Sequence, residues 1–169
     1  MGQYSRHDGG GAVNAVSELE KIGPPNHSGQ YRNGMKGTAL ERKWVTKLGG
    51  FLYGKSTMVP MMLELFMSAE YSGLDCCRFL RGMMFSKKNR MMENEVLSIN
   101  LQQTIPEVEV PVYFFLGRHD LNAPASVSAE YFADLLAPEK HLLWFENSAH
   151  CPCFEEPMKF NRELISLVQ

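Results

Sequence analysis

The chain has 169 residues, of which 44% are hydrophobic and 21% charged, a composition typical of a folded protein and not of a disordered chain. Its 17 basic and 19 acidic side chains leave a net charge of −2, which gives no electrostatic reason to expect binding to nucleic acid or to an anionic membrane. No apolar run approaches the ~18 residues that span a bilayer, and the length corresponds to a single domain of ordinary size.

The beginning of the chain lacks the features of a secretory signal. Residues 1–11 are polar and rich in glycine, without an apolar central region, so we expect a cytoplasmic protein. In that compartment cysteines stay reduced. The four cysteines are therefore predicted to be free thiols, buried or partly buried: Cys76, Cys77, Cys151 and Cys153.

Apolar residues in the first hundred positions recur at helical spacing, and no strand is predicted there. Two capping boxes are expected, Thr38 with Glu41 and Ser72 with Asp75, and each would begin a helix. Between them, Thr57 is predicted to begin a helix rich in methionine. This part of the chain is therefore expected to be a set of helices joined by loops.

Most of the eleven methionines lie between Met58 and Met92. Such a stripe most often packs in a core; the alternatives are an apolar substrate pocket under a lid and a binding site for a lipid or another apolar ligand. Glu64 and Glu70 are expected on the solvated face. The stripe consists of Met58, Met61, Met62, Met83 and Met84.

The pattern changes after residue 105. Two short, continuously apolar runs appear, and each is followed by a stretch with helical spacing. Continuous apolar runs predict strands buried on both faces. Strands alternating with helices predict an α/β fold with a parallel sheet and right-handed crossovers. The strands are predicted at residues 110–116 and 141–146, and the helices at residues 125–136 and 157–168.

Polar side chains follow both predicted strands. Asp120 lies in the loop after the first strand and His150 in the loop after the second. Because parallel strands place both loops at one edge of the sheet, we expect the two side chains to face one crevice. A buried carboxylate there holds an imidazole in one tautomer and stabilises its protonated form. The order Asp then His matches the last two members of a Ser-Asp-His triad, whereas His119 is interpreted as structural.

Two motifs carry these residues and resemble the C-terminal end of the α/β-hydrolase fold, nearest to the proline-iminopeptidase-like branch. They are P-V-Y-F-F-L-G-R-H-D at residues 111–120 and W-F-E-N-S-A-H-C-P-C-F-E-E-P at residues 144–157. The resemblance implies that Asp120 is the triad acid and His150 the triad base of a serine hydrolase. Its substrates would be small esters, amides or peptides, with N-terminal proline peptides as one form, and no cofactor is predicted.

By the same resemblance, residues 1–105 form a helical cap with a polar N-terminus, and residues 106–169 form the last β–α–β–α part of the core. Hydrolases of this kind carry their nucleophile in a G-x-S-x-G elbow upstream of the cap. That motif is absent from this sequence. The chain is therefore interpreted as a C-terminal portion that contains an acid and a base and is inactive by itself.

The predicted sheet also suggests an alternative to enzyme activity. Two strands are too few for an independent sheet, and the open edge of the first strand would present unpaired N–H and C=O groups. The edge must be paired with another chain, be covered, or cause aggregation. The alternative is thus a catalytically inactive truncated remnant that acts through self-association, as a homo-oligomer, or through partner binding.

The H-C-P-C run that begins at His150 invites two further interpretations, a metal site and a cysteine nucleophile. A zinc site needs a second ligand pair, and the remaining cysteines, Cys76 and Cys77, are adjacent in an apolar helix, so no metal site is predicted. Cys151 is not expected to act as a nucleophile. A residue next to the base in the chain cannot easily place its sulfur in line with the imidazole.

Overall fold

The computed structural model describes residues 9–26, 30–89, 91, 95, 96 and 98–168. The first part of the chain is helical: α1 (Gly9–Ile22), α2 (Met35–Lys47), α3 (Val59–Met67), α4 (Gly73–Lys88) and α5 (Leu101–Thr104). Strands and helices alternate in the second part: β1 (Val112–Gly117), α6 (Ala125–Asp134), β2 (Lys140–Phe145), α7 (Pro152–Glu155) and α8 (Pro157–Val168). Among the described residues, no helix is long and apolar enough to cross a membrane.

The two strands form a parallel pair, as the alternating pattern predicts. Val112 lies opposite Lys140, and the register continues to Gly117 opposite Phe145. The observed strands differ from the predicted ranges by one or two residues. This combination of parallel strands and helices agrees with the predicted α/β class, while the division into a cap and a core part stays a prediction.

Aromatic side chains pack on both faces of the sheet. Successive strand residues point to opposite faces, so Phe114 and Phe115 of β1 contact different helices. The ring of Phe115 packs edge-on against Phe160 of α8, with centroids 5.1 Å apart. The ring of Phe114 packs against Phe132 of α6 at 5.3 Å. Phe145, at the end of β2, is fully buried and anchors the α8 side of this small core.

One predicted helix start is wrong. Thr38 and Glu41 do not form a capping box, because α2 begins at Met35 and both residues lie inside the helix. Gly34 precedes the helix with a φ of 55°, a left-handed conformation that glycine adopts without strain. The chain therefore turns into the helix at this glycine, one turn earlier than the Thr-Glu pattern suggests.

The second predicted capping box is confirmed at the start of α4. The backbone N–H of Asp75 donates to Ser72 Oγ at 3.3 Å, and the backbone N–H of Ser72 donates to Asp75 Oδ2 at 3.1 Å. The two bonds satisfy donors that a helix N-terminus leaves unpaired. The methionine-rich helix α3 begins at Val59 instead of Thr57.

The methionine stripe does not pack in a core, which contradicts its predicted role. Met84 is 59% exposed, and Met61, Met62 and Met83 are only half-buried. In the described chain the apolar faces of α3 and α4 have no covering layer beyond local contacts such as that between Phe66 and Phe79. Helical spacing identifies an apolar face, but burial requires a second surface to cover it.

The four cysteines are free, and their burial differs from the prediction in part. Cys76 and Cys151 are half-buried, whereas Cys77 and Cys153 are exposed. The exposure of Cys77 has the same cause as that of the methionines, because it lies on an uncovered face of α4.

Candidate active site

The carboxyl ends of the two strands bring Asp120 and His150 together. Nδ1 of His150 lies 2.9 Å from Oδ2 of Asp120. The carboxylate is largely buried, with 12% of its side chain exposed, and the imidazole is 34% exposed. The structure therefore places both predicted site residues in one hydrogen-bonded pair, with the imidazole at the solvent side.

The other oxygen of Asp120 is held by the backbone. Oδ1 accepts hydrogen bonds from the N–H groups of Asn122 at 2.8 Å and Ala123 at 2.9 Å. A carboxylate oriented in this way accepts the Nδ1–H of the neighbouring imidazole. Nε2 of His150 is then the nitrogen that can accept a proton from a reacting group.

The hydrogen bond to Asp120 raises the pKa of His150 above its ordinary value. Partial burial opposes the rise, and the negative charges of Asp120 and Glu155 add to it. The same hydrogen bond stabilises the imidazolium that forms when His150 accepts a proton.

The two loops that carry the pair pack in direct backbone contact. A side chain at Gly117 would collide with the carbonyl oxygen of Ala149, so glycine is required where β1 ends. The backbone N–H of Arg118 donates to the carbonyl of Phe145 at 2.9 Å. This close approach brings the loop after β1 within reach of the loop after β2.

A third segment, which the sequence pattern did not indicate, completes the site. We name residues 50–55, between α2 and α3, the wall segment. The carbonyl of Phe51 accepts the backbone N–H of His150 at 3.0 Å, and the Phe51 ring lies 5.2 Å from the imidazole centroid. The carbonyl of Gly50 accepts the N–H of Leu121, also at 3.0 Å.

Tyr53 of the wall segment covers the residue next to Asp120. Its ring stacks on His119, with the centroids 4.1 Å apart and the planes 14° apart. Nε2 of His119 also lies 3.1 Å from the carbonyl oxygen of Glu146. His119 thus connects the two strand-end loops and the wall segment.

Glu155 accepts three backbone N–H groups around the site, although no sequence argument singled it out. Oε2 accepts the backbone N–H groups of Ala149 and Cys151, both at 3.0 Å. Oε1 accepts the backbone N–H of Tyr53. The only sequence signal is its position between two prolines shortly after the histidine.

Glu156 binds the same loop at the residues just before Ala149. Its Oε2 accepts the backbone N–H of Asn147 at 3.0 Å and the hydroxyl of Ser148 at 2.7 Å. Ser148 is fully buried, so this hydrogen bond satisfies a hydroxyl that has no access to water.

Burial, followed by the negative charge of Glu155, raises the pKa of Cys151 to about 11. Its thiol is therefore protonated at neutral pH and is a poor nucleophile. Among the described residues, no group of three or more His, Cys, Asp or Glu side chains is arranged to hold a metal ion.

A cavity of about 610 Å³ opens between α1 and α2 and reaches Leu121, the neighbour of Asp120. Burial and a hydrogen bond with Glu41 raise the pKa of Tyr31 in its wall to about 12. The remaining lining is mostly apolar and includes Leu19, Pro24, Trp44, Val45 and Leu48.

The chain is similar to two proteins of Bacillus subtilis (strain 168). It is 37% identical over 116 residues to the probable aminopeptidase YbaC, an alignment that covers 69% of this chain and 36% of that protein. It is 40% identical over 70 residues to the AB hydrolase superfamily protein YclE, which covers 41% of this chain and 24% of that protein. No family model and no solved structure matches the chain. The chain therefore spans well under half the length of these relatives.

Proposed function

Because this chain belongs to the α/β-hydrolase family, we propose that it supplies the acid and the base of a serine hydrolase that cleaves amide or ester bonds. The observation that carries the proposal is the 2.9 Å hydrogen bond between His150 and Asp120 at the carboxyl ends of two parallel strands. Nε2 of His150 removes the proton of an attacking hydroxyl and then protonates the leaving group. Asp120 holds the imidazole tautomer and stabilises the imidazolium.

The nucleophile of the complete site lies, in this proposal, outside residues 1–169. The sequence contains no G-x-S-x-G elbow, and Cys151 offers no substitute, because its thiol stays protonated at neutral pH. Residues 1–105 would form the cap and residues 106–169 the end of the core. The contacts of the wall segment with His150 support this arrangement, because they place part of the helical region directly beside the base.

The substrate is proposed to be a small peptide or amide with a free N-terminus, as in a proline-iminopeptidase-like aminopeptidase. The relative named as a probable aminopeptidase supports this choice. The mostly apolar cavity whose lining includes Leu121, the residue after Asp120 in the chain, also supports it, since such a lining would suit a small apolar side chain of the substrate.

The test joins this chain to the part of the probable aminopeptidase YbaC that lies outside the aligned segment. We expect a fluorophosphonate probe to add once to a serine of the joined protein, detected as one adduct by intact mass. His150→Ala should abolish labelling, while Asn122→Ala, which keeps the backbone N–H bonded to Asp120, should leave it intact. Labelling that persists without His150 would refute the assignment of the base.

The unjoined chain provides the second arm of this experiment. No adduct is expected on it, because no elbow serine is present. A stoichiometric adduct that is lost in His150→Ala would locate the nucleophile within residues 1–169. This result would contradict the proposal that the nucleophile lies outside these residues.

The alternative, an inactive remnant that acts by association, is supported by the apolar surface of the described chain. Leu164 and Ile165 of α8 are 44% and 52% exposed, and among the described strands β1 pairs with β2 alone. This alternative predicts a concentration-dependent oligomer in light scattering and no turnover in the joined protein. A stable monomer would exclude self-association.

A further inference from the structure

We propose that Glu155 is a positioning residue for His150. Glu155 orients the imidazole by binding the backbone on both sides of His150 in the chain and by joining this backbone to the wall segment. The proposal rests on the proposed function only in naming His150 as the base. The contacts themselves connect three backbone N–H groups, those of Tyr53, Ala149 and Cys151, to one carboxylate.

The bonds to Ala149 and Cys151 determine where the His150 side chain points. These residues flank His150 directly, and both donate to the same oxygen, Oε2, at 3.0 Å. With both neighbouring N–H groups fixed, the Cα–Cβ direction of His150 is fixed as well. The imidazole can then meet Asp120 without a search over backbone conformations, and such preorganisation is what a catalytic pair needs.

The bond to Tyr53 extends this control across the site. Tyr53 is 102 residues away from Glu155 in the chain, and it belongs to the segment whose Phe51 carbonyl accepts the N–H of His150. Glu155 therefore holds the two surfaces that face the imidazole, its own loop and the wall segment, in one arrangement.

A carboxylate is required because both of its oxygens accept hydrogen bonds. Glutamine has the same shape, but its amide nitrogen is only a donor. In Glu155→Gln the amide oxygen can face either Tyr53 or the pair Ala149 and Cys151. The other side then meets an NH₂ group, and one set of bonds is lost in either orientation.

Glu156 provides a matched control on the adjacent position. Its bonds to Asn147 and Ser148 both end on Oε2, so a single amide oxygen can replace it. Glu156→Gln removes the same charge from the same loop and keeps these contacts. The two variants therefore separate the loss of charge from the loss of positioning.

The experiment uses the full chain, isotopically labelled, with two NMR readouts. The first is the Nδ1–H resonance of His150, which reports its hydrogen bond to Asp120. The second is amide hydrogen exchange at Tyr53, Ala149 and Cys151. In Glu155→Gln we expect the Nδ1–H signal to broaden or vanish. We also expect amide exchange to accelerate by roughly tenfold, either at Tyr53 or at Ala149 and Cys151. Glu156→Gln should retain the signal and the slow exchange.

Wild-type signals and exchange rates in Glu155→Gln would overturn the proposal, as would an equal loss in Glu156→Gln. If Glu155→Gln does not fold, amide hydrogen exchange in the unsubstituted chain still tests the proposal. Amides held by one carboxylate open together and show a common opening free energy, and three unrelated values would refute the shared anchor. Neither readout requires turnover, so failure of this proposal is distinguishable from failure of the proposed hydrolase activity.

Discussion

The carboxylate of Asp120 presents one oxygen to His150 and keeps the other on the backbone. Oδ2 lies 2.9 Å from Nδ1 of His150, while Oδ1 accepts two backbone N–H groups of its own loop. Turning the carboxylate away from the imidazole would break both backbone bonds. The orientation of the pair is thus set by the loop after β1 before any substrate binds.

The first prediction concerns Asp120→Asn. The substitution removes the negative charge and keeps an oxygen acceptor, so the pKa of His150 should fall from its raised position toward the ordinary value near 6.5. An NMR titration of the imidazole C–H protons measures the change. The resonances of the exposed His141, whose partner is Glu139, should be unaffected. An unchanged His150 midpoint would show that Asp120 does not control it.

The second prediction follows from the direction of the same pKa shift. A pKa that is higher in the folded state than in the unfolded state stabilises the folded protein. This stabilisation is complete at a pH below the unfolded-state pKa, near 6.5, and is lost as the pH rises through the folded-state pKa. Urea unfolding should therefore show that Asp120→Asn lowers the free energy of unfolding more at pH 5.5 than at pH 9. At pH 5.5 we expect a loss of about 1 kcal/mol, because the pair is part-exposed.

Asn122→Ala serves as the control for this pH dependence. It keeps the backbone N–H that binds Asp120, so its effect on the free energy of unfolding should be equal at both pH values. A cost of Asp120→Asn that rises with pH would contradict the sign of the shift.

The third prediction concerns the backbone contact between the two strand-end loops. In Gly117→Ala the new methyl group meets the carbonyl of Ala149, and backbone on both sides must move. We expect a loss of about 3 kcal/mol in the free energy of unfolding. Gly82→Ala is the matched control, because the added methyl group lies in open space on α4 and should stabilise that helix by about 0.5–1 kcal/mol. Equal effects would indicate that the loops do not touch.

The fourth prediction concerns thiol reactivity. Burial and Glu155 raise the pKa of Cys151 to about 11, so it should be the slowest cysteine to react with iodoacetamide at pH 8. The exposed Cys77 and Cys153 should react first. Peptide mass spectrometry over a time course gives the order. Early modification of Cys151 would contradict the conclusion that its thiol is a poor nucleophile.

Local pattern was sufficient for both strands and the two longer helices of the second half of the chain, but it did not predict the one-turn helix α7. The continuous apolar runs predict β1 and β2, and the amphipathic spacing after Pro157 predicts α8 with its observed bounds. The same pattern places Asp120 and His150 after neighbouring strands, and the two side chains are hydrogen-bonded. Their catalytic roles stay predictions.

The sequence by itself determined both strands, the longer helices and the two polar residues that follow the strands, because these depend on neighbouring side chains and on short periods. Only the tertiary structure decided that the wall segment and Glu155 surround His150, since 102 residues separate Tyr53 from the carboxylate that binds it. It also decided that the methionine stripe is at most half-buried. Burial depends on a second surface, and an apolar face at helical spacing contains no information about whether one is present.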